Sequence, residues 1–268
     1  MLRMFRPLAN GFLLFLGLLS FAPAEASIPF TDVSTGDISY ESIETLYEQG
    51  IIGDDGSHLF RPRELIARDD FTSIVMEVGC EECLRPDQNL ILSYTSPVFP
   101  DVGFENENFY CIARAESLSV VRGYVLDDSG RTSCQDGTTY GSVPFCPMNN
   151  ITRIEAAAVL LRHAGFWDEI RNANDYEHRY VLSDVSDYWY GYAMRAIDFE
   201  LIAADDEGRV SPNEYINRAE FARMAAKILQ SRLCEEGNVD SDDRFRTNRS
   251  NSEQDTEDAP GITGNNAG

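Results

Sequence analysis

Ile151-Thr152-Arg153-Ile154-Glu155 opens a helix in the middle of the chain, and it returns in altered form as Ile66-Ala67-Arg68-Asp69-Asp70 and as Ile216-Asn217-Arg218-Ala219-Glu220. In each copy a proline lies six residues before the arginine, at Pro62, Pro147 and Pro212. Three stretches that agree on this order and spacing form an internal repeat, and a repeat unit of this size generally cannot bury its apolar face alone. The fold is therefore read as helical units that pack on one another.

Most of the motif builds a helix. Thr152 with Glu155 makes a capping box, in which each side chain satisfies a backbone donor that the helix start leaves orphaned, and Asn217 with Glu220 is expected to do the same. Ala67 has no oxygen to offer, so the first copy caps its helix less well by ~1 kcal/mol, while Asp70 remains favourable near the positive end of the helix dipole. The isoleucine before each cap is placed to staple onto Phe71, Ala156 or Phe221. The arginine is left unexplained. A cation at the first helical position faces the positive end of the macrodipole, at a cost of about 0.3–1 kcal/mol. Two readings stand. Free backbone amides plus a guanidinium fork make an anion receptor at Arg68, Arg153 and Arg218. Alternatively, each arginine pairs with a carboxylate of an adjacent repeat, with Asp32, Asp101 and Asp184 as candidates.

Three units follow along the chain. In the first, residues 27–84, Tyr40, Ile43, Leu46 and Tyr47 recur at helical spacing up to Gly50, a C-terminal stop. Ile51-Ile52-Gly53 and the turn Asp54-Asp55-Gly56 then lead to a second helix with Phe71, Ile74, Val75 and Val78 on its buried stripe. The second unit, residues 98–165, starts at Phe99-Pro100-Asp101-Val102, and its first helix runs from about Asn108 to Leu118. Val120-Val121-Arg122-Gly123-Tyr124 follows. An extra segment, Arg131 to Phe145, lengthens this unit and carries a disulfide expected between Cys134 and Cys146, which bracket the loop and limit its entropy. Thr152 to Ala164 is its second helix. The third unit, residues 180–234, has Leu182-Ser183-Asp184-Val185, then Trp189, Tyr192, Ala193, Ala196 and Ile197 on its first helix. Asp205-Asp206-Glu207-Gly208 is its turn, and Phe221, Met224, Ala225 and Ile228 line its last helix. Residues 235–268 are acidic and poor in large apolar side chains, and are read as a disordered tail.

Composition narrows the function. The chain has 268 residues, 43% of them hydrophobic, enough for a sizeable core. Its formal charge of −23 excludes nonspecific contact with nucleic acid or an anionic membrane surface, so an anionic ligand must be met by local arginines. Lys227 is the single lysine, which leaves Schiff-base chemistry almost no candidate. At the N-terminus Arg3 and Arg6 precede an apolar run, Gly11 to Ala22, and the small-residue site Ala24-Glu25-Ala26. Residues 1–26 therefore read as a secretory signal peptide cut before Ser27, the run being too short for the ~20 apolar residues that cross a bilayer. All 6 cysteines lie in the exported part, where disulfides are expected. Cys80, Cys83, Cys111 and Cys234 keep three connectivities open. A zinc or redox site at Cys80-x-x-Cys83 with Cys111 is the rival reading.

The whole pattern, Phe-x-Asp-Val, a helix, Gly-Ile-Ile-Gly, an acidic glycine turn, Phe-Arg-Pro and Ile-Thr-Arg-x-Glu, resembles the S-layer homology (SLH) domain in three tandem copies over nearly all of residues 28–234. The resemblance implies an all-α pseudo-threefold trimer of repeats, here with a disulfide-closed insertion in the second. It implies grooves that hold a cell-wall polysaccharide, often with acidic substituents such as pyruvate ketals, and that fix an exported protein non-covalently to the envelope. Carried onto this sequence, ligand contacts fall on Arg68, Arg153 and Arg218, on Asp32, Asp101 and Asp184, on the glycine turns Gly53 and Gly123, and on an aromatic matched best by Trp189, less securely by Phe109 or Tyr110. Trp189 is equally readable as a core residue. Ala204 or a neighbour replaces the glycine in the third copy, and Ala67 and Asp69 depart from the motif in the first, where Asp69 is placed to neutralise Arg68. The Arg153 groove is thus the first expectation.

The function expected is a secreted, non-catalytic protein of the cell envelope that binds a wall polysaccharide or peptidoglycan-linked polymer without cofactor or metal. His58, His163 and His178 form no nucleophile arrangement and no glycine-rich phosphate loop is present, so a polysaccharide hydrolase would need two carboxylates that nothing singles out. A third class is a surface-layer protein–protein module. The acidic turns at Asp54, Asp127 and Asp205 lack the alternating ligands of an EF-hand, and turn chemistry accounts for them better than calcium.

Overall fold

The computed structural model describes residues 28–79, 83, 94–166, 170 and 180–231. The expected signal peptide, the acidic tail, Cys80 and Cys234 lie outside them. No described helix is long and apolar enough to cross a membrane.

Among the described residues six helices form three pairs: α1 (Tyr40–Glu48) with α2 (Arg68–Val78), α3 (Phe109–Ser117) with α4 (Arg153–His163), and α5 (Asp187–Asp198) with α6 (Arg218–Ser231). Each first helix ends in a left-handed residue, as Gly50 predicts, with φ of +71° there and of +59° and +56° at Ser119 and Glu200. The two side-chain-bearing residues accept a conformation that costs L-residues roughly 1–2 kcal/mol, because the turn brings the next apolar pair inward. In all three pairs the residue after this corner donates to a carbonyl near the helix end, Ile51 to Leu46, Val120 to Ala115 and Leu201 to Ala196. Counted from the corner, Gly53 corresponds to Arg122 and Ala203, so Gly123 lies one position beyond Gly53 and not opposite it.

The pairs do not close on themselves. Helix α1 packs on α6, α3 on α2 and α5 on α4, while α2, α4 and α6 pack on one another at the centre. Phe71 of α2 meets Phe221 of α6 with ring centroids 5.1 Å apart. The three motif isoleucines are buried and joined main chain to main chain: Ile151 N–H donates to Ile66, Ile216 to Ile151, and Ile66 to Ile216, at 3.3, 3.2 and 3.5 Å. These bonds form a closed ring, which spacing alone does not reveal.

Two features depart from a purely helical reading. The insertion forms a short antiparallel hairpin, β1 (Thr132–Ser133) with β2 (Thr139–Tyr140), turning at Gly137 with φ of +85°. A disulfide joins Cys134 to Cys146, as expected, and a second joins Cys83 to Cys111. The second bond selects among the open connectivities and removes the zinc reading, since sulfurs bonded to each other offer no thiolates. It closes a loop 28 residues long, worth roughly 3–4 kcal/mol in a chain-entropy account.

Candidate functional site

The amides that sequence reasoning left free at the heads of α2, α4 and α6 are engaged. Arg68 and Asp69 N–H donate to the carbonyls of Asn149 and Pro147, Arg153 and Ile154 to those of Glu214 and Pro212, and Arg218 and Ala219 to those of Glu64 and Pro62, all at 2.7–3.1 Å. Each helix start is thus satisfied by the proline loop of the next pair around the ring. An anion receptor built from helix amides is therefore absent, and any anion must be met by the guanidinium groups.

The three guanidinium groups differ. Arg68 is only 7% exposed. It lies between the rings of Tyr124 and Phe145, 4.3 and 4.7 Å from their centroids, and donates from Nη2 to the Arg122 carbonyl at 2.5 Å. Its Nη1 is 3.7 Å from Glu155, which also serves the capping box of α4. Burial raises the pKa of Tyr124, so the ring faces Arg68 uncharged.

Arg153, half-buried, is saturated with acceptors. Its Nε donates to Glu220 at 2.8 Å, Nη1 to the Val210 carbonyl at 3.0 Å, and Nη2 lies 3.0 Å from Glu214. Glu220 therefore does not complete the expected capping box, although Asn217 still accepts the Glu220 N–H at 2.8 Å. The sequence signal was present: each copy carries an acid three residues after its cap, at Asp70, Glu155 and Glu220, and that acid faces the arginine of the preceding pair.

Arg218 also sits opposite such an acid, but Asp70 is one methylene shorter and forms no ion pair with it. Its Oδ1 accepts instead from Asn108 at 3.4 Å. Arg218 donates from Nε to the Phe60 carbonyl at 2.8 Å and lies 5.0 Å from the Phe60 ring centroid. Among the described residues its two terminal nitrogens have no acceptor. Burial lowers its pKa from the ordinary value, and Asp70 opposes the shift without pairing.

The aspartates do not meet the arginines. Asp32 accepts the amides of Phe60 and Arg61, Asp101 those of Phe145 and Cys146, and Asp184 those of Val210 and Ser211, all at 2.6–3.0 Å. In each loop the second of these residues is left-handed, with φ of +59°, +57° and +51°. The carboxylate stabilises a strained corner, so ion pairing between repeats through Asp32, Asp101 or Asp184 does not occur. Asp69 likewise turns from Arg68, and burial pushes its carboxyl pKa up.

Gly53 and Gly123 lie in opposite surroundings. A Cβ at Gly53 would meet nothing within 4 Å, whereas one at Gly123 would lie 2.4 Å from Val143 and 2.7 Å from the Pro144 carbonyl. The insertion thus covers the second pair's turn, and it reaches the third pair through Gln135, whose Nε2 donates to Tyr215 at 3.1 Å. Trp189 packs partly buried against the core, beside the exposed Tyr188 at 4.8 Å between ring centroids. Asp54, Asp127 and Asp205 each accept amides two and four residues on, at 2.8–3.0 Å, the turn chemistry expected of them.

The S-layer homology domain model matches residues 29–72 and 182–222, which hold the first helix and the following loop of the first and third pairs and the opening of their second helices. The chain is 22% identical over 204 residues, 76% of its length, to an endoglucanase of Bacillus sp. (strain KSM-635), of which it spans 19%. It is 28% identical over 145 residues, 54% of its length, to an amylopullulanase of Thermoanaerobacterium thermosulfurigenes, of which it spans 7%.

Proposed function

We propose that this chain is a secreted attachment module of three S-layer homology repeats about a pseudo-threefold axis, which binds a cell-wall polysaccharide or peptidoglycan-linked polymer and fixes its bearer non-covalently to the cell envelope. The observation that carries this is the closed ring at Ile66, Ile151 and Ile216. The middle pair makes the same ring, helix-start and aspartate bonds as the two pairs that match the family model, with an insertion interrupting its sequence. The two relatives are named as enzymes of polysaccharides, and the stretch shared with this chain is a small part of each. Such a stretch suits attachment better than catalysis, since among the described residues the aspartates and glutamates at the junctions hold backbone amides or guanidinium groups.

The polymer recognised is acidic, bearing carboxylate or ketal-linked pyruvate groups. A chain of charge −23 gains nothing from a polyanion except through local arginines, and each junction is built around one. The rings of Tyr188 and Trp189 offer faces on which a sugar stacks. Co-sedimentation of the oxidised chain with wall sacculi tests the reading. Pelleting with native sacculi and not with sacculi stripped of their secondary polysaccharide supports it. Equal pelleting with both would point to peptidoglycan or wall protein as the partner and overturn it.

A further inference from the structure

We infer that only the junction between the third and first helix pairs takes an anionic ligand, so that each chain holds one acidic substituent of the polymer and not three. This rests on the attachment reading above and adds its stoichiometry and its site. At the first junction Arg68 is enclosed by Tyr124, Phe145 and the Arg122 carbonyl, and the hairpin covers Gly123. Entry there would require the disulfide-closed insertion to leave. At the second, Glu220 and Glu214 already neutralise Arg153, and a ligand anion would have to displace two tethered carboxylates that are always at high local concentration.

The third junction lacks both devices. Arg218 is held by one bond through Nε, which fixes the plane of the guanidinium and leaves its two terminal nitrogens as a parallel donor pair. The position that supplies the Arg122 carbonyl to Arg68 is occupied here by Gly53, exposed and with open space where a side chain would stand. A saccharide backbone can therefore approach the main chain beside the fork. Arg61, next to the Phe60 carbonyl that anchors Arg218, is paired with Asp55 and held by Ser57 at 3.2 Å, so Arg218 is the cation left for a ligand at this junction. The open Arg218 fork beside an uncovered glycine fits a sugar that carries a compact oxyanion, carboxylate or phosphate.

The test is calorimetric titration of the full oxidised chain with soluble fragments of the wall polysaccharide. One site per chain is expected. Arg218→Gln should weaken binding at least tenfold, and Gly53→Val should do so with an unchanged Tm, because a Cβ there meets nothing within 4 Å and the position is exposed. Arg209→Gln, which removes an arginine from the exposed third turn, should leave binding unaltered. Fragments with reduced carboxyls, or with phosphate removed, identify the anion by which treatment abolishes binding. Two or three sites per chain would overturn the inference, as would wild-type affinity in both Arg218→Gln and Gly53→Val. If the wild type binds no fragment while still pelleting with sacculi, the inference fails and the attachment reading survives; if it does neither, both fall.

Discussion

Arg153 and Arg218 occupy the same position on two helices, and both helix starts donate to the proline loop of the next pair at nearly equal distances, 2.7 and 3.0 Å against 2.8 and 3.0 Å. Their backbone frames are interchangeable. Their guanidinium groups are not: one is surrounded by two carboxylates and a carbonyl, the other is held by one carbonyl with its fork open. The cause is small. Glu220 reaches Arg153, whereas Asp70, its counterpart, is a methylene short of Arg218. The comparison teaches that the repeat frame sets where an arginine stands, while the reach of two acidic side chains in the neighbouring pair, Glu220 and Glu214 against Asp70 and Glu64, decides whether that arginine is free.

Arg68 marks the closed extreme of this series and gives the largest expected effect. Arg68→Ala leaves Glu155 without its buried partner and opens a void between Tyr124 and Phe145, so urea denaturation should show a loss of about 3 kcal/mol. A loss below about 1 kcal/mol would mean that the enclosed arginine is not holding the first junction shut. Asp70→Glu is the most direct test of the comparison. The longer side chain should reach Arg218, weaken polysaccharide binding about tenfold, and stabilise the chain by about 0.5 kcal/mol as a partly exposed pair. Unchanged affinity would break the account of side-chain length. The smallest effect concerns Asp69. Its folded carboxyl holds a proton more tightly than the unfolded one, so its ionisation costs stability as pH rises from the ordinary value of 3.8 through the raised one. Asp69→Asn should therefore be slightly more stable at pH 7, by about 0.5 kcal/mol, with the difference closing below the ordinary carboxylate range. Denaturation midpoints across pH read this, and a gap that widened in acid would show the sign to be wrong.

What was legible in the sequence was local. The bounds of α3 and α4 with their flanking residues, the left-handed Gly50, the complete capping box at Thr152 and Glu155, and the weak cap at Ala67 all follow from interactions within a few residues, and the structure repeats them. The candidate site was legible only as residue types. That the helix-start amides donate across pairs, that Asp32, Asp101 and Asp184 brace left-handed corners some 28, 44 and 26 residues away, and that Glu220 serves Arg153 all depend on closing the ring. Spacing places an arginine on a helix; it does not say which neighbour's acid faces it. The expectation at Arg153 failed to foresee its two carboxylates for this reason, and the pairing of Gly53 with Gly123 slipped by one residue because Gly53 stands three residues after its left-handed corner and Gly123 four.

The packing of α1 against α6 has a consequence in time. Among the described helices, a chain made from its N-terminus releases α1 first and the helix that covers it last, so the first unit is not finished until about 180 further residues have emerged. The Arg223 bond to Ser39 across 184 positions waits for α6. Contacts of such separation slow the final step of folding. The face of α1 that α6 covers therefore stays open until synthesis has reached that partner helix.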